Sequence, residues 1–146
     1  MKKIILFLMI VFIQNTIFAQ DNSKDDEIKG EVVITTSHIT YYERVIRGSD
    51  TLWVFGNEID ESSMFKFNEN LTVIKHITND ITSTYYIKNA FQYEGVFNFE
   101  IVSDVGNNYR LVVNYQKEKI TIVFDNESTE VVYKMKKYWI NETKDK

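Results

Sequence analysis

His38 and His76 are the only side chains of this 146-residue chain that ordinarily titrate near neutrality, and cysteine is absent. A zinc site wants three or four ligands with a tight local pair such as His-Glu-x-x-His, and neither histidine has that neighbourhood. Each stands just before an isoleucine, Ile39 or Ile77, near the end of an expected strand. Both are therefore expected at surface or turn positions, without a metal or acid–base role. Serines and acids are numerous enough to compose a Ser-His-Asp set on paper, but the G-x-S-x-G elbow is missing and no glycine-rich loop leads into a helix. Glu100 and Asp104 lie close enough in sequence for a carboxylate pair. The run Ser103-Asp104-Val105-Gly106-Asn107-Asn108 reads more simply as a turn in which an Asp side chain bonds its own backbone. The expectation is a protein that is not an enzyme and uses no metal or other cofactor.

Aromatic side chains carry more information, at 14% of the chain. Most of them are expected to fill a core. Phe55, Phe67, Phe99, Leu111, Phe124 and Tyr133 each lie on the apolar side of an alternating run, so they are the expected wall residues of an apolar, aromatic-lined pocket for a small ligand. The alternative is a protein–protein interaction or inhibitor protein of the cell envelope, using an exposed strand or aromatic patch. The volume of the lumen separates the two readings.

The elements that must position these residues repeat with period two. Phe97, Phe99 and Ile101 alternate with Asn98 and Glu100. Tyr109 to Tyr115, Ile120 to Phe124 and Val131 to Met135 follow the same rule. β-Branched and aromatic residues dominate, as a pleated, half-buried surface requires. Turns are expected at 47–50, 56–62, 68–70, 79–80, 89–95, 104–108, 116–118 and 125–129, with the glycines at or beside them. Connections this short force antiparallel neighbours. The spacing predicts about ten short strands in an all-β, antiparallel up-and-down meander that closes into a small barrel, with a β-sandwich as the alternative.

At the N-terminus, Lys2 and Lys3 precede an uninterrupted apolar run over 4–13, and Ala19 offers a small residue for cleavage. This is the anatomy of a secretory signal peptide, and the run is about half the ~20 residues a membrane span needs. The expected organisation is a signal peptide over 1–19, a flexible acidic arm over 20–30, one β domain over 31–140 and a polar tail over 141–146. No Cys follows the cleavage point to take a lipid, so no stable membrane anchor is expected. A leader ending Phe18-Ala19-Gln20 resembles those of exported proteins in one group of Gram-negative bacteria, which implies the periplasm or secretion. Its removal takes Lys2, Lys3 and no acid, moving the net charge from −4 to −6. That balance argues against nucleic acid, whose phosphates need a basic face.

Met64-Phe65-Lys66-Phe67-Asn68-Glu69-Asn70-Leu71-Thr72-Val73, a Phe-x-Phe strand followed by Asn-Glu-Asn and a second strand, resembles small exported lipocalin-like proteins. The resemblance is one of pattern from about residue 31 to residue 138, and it implies an up-and-down barrel. The family's Gly-x-Trp is missing, since Gly30 is followed by Glu31 and Val32. The Thr-Asp-Tyr turn is also absent, and the arginine of the last strand is replaced by Lys136 or Lys137. No ligand residue is carried over from the family.

Overall fold

A computed structural model describes residues 30–124 and 128–142. The expected signal peptide, the arm up to residue 29 and the tail from residue 143 lie outside the described residues. Nine strands follow one another: β1 (Gly30–Arg47), β2 (Asp50–Ile59), β3 (Ser63–Phe67), β4 (Val73–Ile77), β5 (Thr82–Tyr93), β6 (Val96–Ser103), β7 (Asn108–Asn114), β8 (Lys119–Phe124) and β9 (Thr129–Glu142). Every pairing is antiparallel, and β1 also pairs β9, so eight strands close into a barrel and β2 remains as an extra strand. The meander becomes a barrel and not a sandwich. The described residues contain no helix.

Several strands run through residues that the sequence marked as turns. β2 continues across Gly56 to Ile59, and β5 continues across Asn89 to Tyr93, leaving only Glu94 and Gly95 as its turn. Polar and small residues tolerate an extended backbone where neighbouring strands supply hydrogen bonds, so tertiary pairing overrides local preference. β1 reaches 18 residues and β9 reaches 14. Among the described residues the strands run from Gly30 to Glu142.

Long strands stay in phase with a closed lumen only by inserting bulges, and each bulge swaps which residue parity faces inward. In β1, Val32, Ile34 and Thr36 are buried. Ser37 is then the extra residue, and Ile39 follows on the inside. In β9, Val131, Tyr133 and Met135 are buried, Lys136 is extra, and Tyr138 and Ile140 take over the inward phase. β5 does the same at Lys88, between Ile87 and Ala90. The core therefore follows a single continuous face through all three changes of parity.

The first and last strands meet along a tight seam. A Cβ on Gly30 would sit 2.6 Å from both the carbonyl oxygen of Asn141 and Cγ2 of Ile140, so only glycine lets the two backbones approach there. Within the lumen, Phe65, Phe67, Phe97, Phe99, Ile34, Ile74, Leu111, Val113 and Ile120 have no exposed surface. Phe67 and Phe99 have ring centroids 5.4 Å apart. One end of the barrel is plugged by a chain of edge-on rings, Phe97 to Tyr115 to Tyr138, at 5.9 and 4.9 Å.

Candidate functional site

The opposite end carries the connections β1–β2, β4–β5, β6–β7 and β8–β9, and two groups of unusual side chains gather there. The first lies inside the barrel. In β4, Lys75 faces out between Ile74 and His76, so the pleat turns His76 inward, where it is 7% exposed. This corrects the expected surface or turn position of that histidine: the strand's parity, not its nearness to a strand end, decides. Its ring stacks on Phe65 at 4.2 Å and meets Tyr133 edge-on at 5.1 Å. His76 Nε2 lies 3.1 Å from Ser63 Oγ, which lies 2.8 Å from Thr36 Oγ1. A buried imidazole cannot hold a charge cheaply, and desolvation lowers the pKa of His76 to about 4.

Ser63 and His76 have the separation of a nucleophile and its base, but the third member of such a set is missing. Among the described residues no carboxylate is hydrogen-bonded to the imidazole, and Ser63 is 5% exposed beneath the rings. The arrangement satisfies buried polar atoms: among the described residues, no buried side-chain nitrogen or oxygen lacks a partner.

Around this cluster runs an aromatic rim. Tyr85 meets Tyr109 at 5.7 Å, Tyr109 meets Phe124 at 5.2 Å, and Phe65 meets Tyr133 at 5.0 Å, all edge-on. Burial raises the Tyr133 hydroxyl above its ordinary pKa, with smaller upward contributions from Tyr85, Tyr41 and Glu61. Tyr85 is raised chiefly by burial as well, against a hydrogen bond from Ser83 that lowers it.

The second group lies outside. β1 continues past the barrel rim, and among the described residues its hairpin partner β2 pairs with β1 alone, leaving its other edge unpaired there. Leu52, Trp53, Val54 and Phe55 are 40–55% exposed, and Ile46 across the hairpin is 66% exposed. Four consecutive apolar residues expose both faces of the strand, where a half-buried strand would alternate. At the hairpin's root, His38 Nδ1 lies 2.6 Å from Asp60 Oδ1 and its Nε2 lies 3.3 Å from Glu58 Oε2. These hydrogen bonds, that to Asp60 first, raise the pKa of His38. His38 is on the outer face, within β1 and not in a turn.

The six expected pocket residues do not share one environment. Phe67, Phe99 and Leu111 are fully enclosed in the lumen, and Tyr133 is 7% exposed beside His76. Phe124 is on the rim at 36% exposure, and Phe55 is on the projecting hairpin, apart from the other five. Glu100 faces outward, opposite Arg110 in β7. The 103–108 turn is held by its serine: Ser103 Oγ accepts the Asn107 N–H at 3.1 Å. Sequence reasoning missed the Thr36–Ser63–His76 chain, although the Ile74-Lys75-His76 alternation carried the signal. It also missed the exposed hairpin, whose signal was the lack of alternation over 52–55.

Compared with known proteins, the chain matches no family model, no curated protein and no solved structure.

Proposed function

We propose that this is an exported, non-enzymatic interaction protein of a bacterial envelope, which engages a protein partner through the edge of β2. The observation that carries this reading is the unpaired, apolar edge of a strand that projects beyond the barrel. Exposed edges are normally blunted by charge, proline or brevity, yet residues 51–57 contain neither a charge nor a proline. An extended apolar segment of a partner would add as the next strand, with backbone hydrogen bonds supplying affinity and Trp53 and Phe55 supplying side-chain contacts. An up-and-down barrel of the lipocalin-like kind is a rigid platform for such a hairpin.

A photo-reactive side chain at Phe55 tests this in the producing cell. The expected result is one discrete cross-linked partner, lost when Leu52→Lys and Val54→Lys charge the strand while the melting temperature holds. A cross-link that survives both lysines would defeat the proposal.

A second reading keeps a small apolar ligand, and the aromatic rim of Tyr85, Tyr109, Phe124 and Tyr133 favours it. A ligand deeper in the lumen would have to part Phe67, Phe99 and Leu111. Native mass spectrometry of protein purified from its own host would show a retained small molecule if this reading holds.

A further inference from the structure

The outer wall of a closed barrel is convex, but here it is interrupted by a groove of about 410 Å³ that crosses β9, β1, β3 and β4. Three features of the chain make the hollow. Lys136 is the extra residue of the β9 bulge, Ser37 is the extra residue of β1, and residues 60–62 interrupt the passage from β2 to β3. Lys137, Thr35, Met64 and Ile77 are successive partners across the four strands and form one outward row along it.

Its lining combines three chemistries. Trp139 stands at one end, 38% exposed, with its indole held by donation from Nε1 to Asn141 Oδ1 at 2.9 Å. Lys136 and Lys137 are exposed beside it and have no ion-pair partner among the described residues. Ser62 and Asn79 supply a hydroxyl and an amide at the far end, over the apolar Met64 and Ile77, while the Thr78 hydroxyl there is taken up by its own turn, donating to the Ile81 carbonyl and accepting the Ile81 N–H. Among the described residues no carboxylate lines the groove, although the chain as a whole carries net negative charge.

From this set we infer a binding site for an anionic sugar, a pyranose bearing a carboxylate. A fixed, partly exposed indole offers its face to the C–H side of a sugar ring, and the two ammonium groups pair with the carboxylate. Hydroxyl and amide groups at the far end match the sugar's own hydroxyls. The volume falls near the lower end of the ~300–1,000 Å³ range of ligand pockets, room for about one or two rings. The site is independent of the β2 edge and of the proposed function.

Tryptophan emission tests it, because Trp53 is the only other tryptophan and Trp53→Phe leaves Trp139 as the sole reporter. Glucuronate, glucose and acetate are titrated separately into that protein. The expected result is a saturable change with glucuronate and responses about tenfold weaker or more with glucose and acetate, since each lacks half of the recognised chemistry. Lys136→Gln with Lys137→Gln should weaken glucuronate binding by about tenfold or more at unchanged melting temperature. Absence of a saturable change, an equal response to glucose or acetate, or undiminished binding in the double variant would each overturn the inference.

Discussion

His76 converts its burial into a pH dependence of stability. The folded ring has a pKa of about 4 against an ordinary value of 6.5, so the unfolded chain takes up a proton that the folded chain refuses. Its contribution is therefore fully present above pH 6.5 and is lost as the pH falls from there toward 4. The loss is about 2 kcal/mol between pH 7.5 and 5, approaching about 3 kcal/mol below pH 4. Urea unfolding at the two pH values measures it. His76→Phe, which keeps a ring against Phe65, should flatten the slope by that amount, and an unchanged slope would show that the ring is not the titrating group. His38 works with the opposite sign: its raised pKa stabilises fully below 6.5, and that contribution is lost as the pH rises through the folded value. Residue types alone did not separate the two histidines, because both precede isoleucine. Strand parity puts one inside, and a bulge with two facing acids fixes the other on the outer wall.

Register is the property that the strands themselves fix. Between β5 and β7, Phe97, Phe99 and Ile101 face the lumen and Asn98 and Glu100 do not, as alternation predicts. A slip of one residue would bury Glu100 and expose two phenylalanines. Phe99→Ala should cost about 3–5 kcal/mol, and Asn98→Ala, whose amide donates only a 3.3 Å bond to the Val96 carbonyl, about half a kcal/mol or less. Denaturant midpoints at constant slope test the pair, and equal costs would refute the face assignment. Short strands such as β6 and β7 were legible because period two holds from end to end. Strands β1, β5 and β9 were harder to read, because Ser37, Lys88 and Lys136 each reverse the parity. A bulge has no local sequence signature apart from the curvature the barrel demands.

For the whole molecule, the meander and its closure were legible from short connections and the need to remove edges, while the open edge of β2 was not. Leu52, Trp53, Val54 and Phe55 have a core's composition, and only the completed barrel shows that among the described residues no further strand covers them. The seam between β1 and β9 governs how the chain becomes this molecule. Thr35 Oγ1 donates to the Lys137 carbonyl at 3.3 Å across 102 positions of sequence, whereas β3 to β9 pair by local hairpins. Loop-closure entropy makes such distant contacts form late, and folding should fall on the order of milliseconds to seconds. Gly30→Val, which crowds the seam, should therefore speed unfolding and leave the folding rate nearly unchanged in stopped-flow experiments. A change confined to the folding rate would place the seam in the nucleus instead. During synthesis from the N-terminus, the edge of β1 must wait unpaired until the last strand of the barrel has emerged. Through that interval the nascent chain holds an adhesive ribbon that needs either speed or a chaperone to keep it from its neighbours.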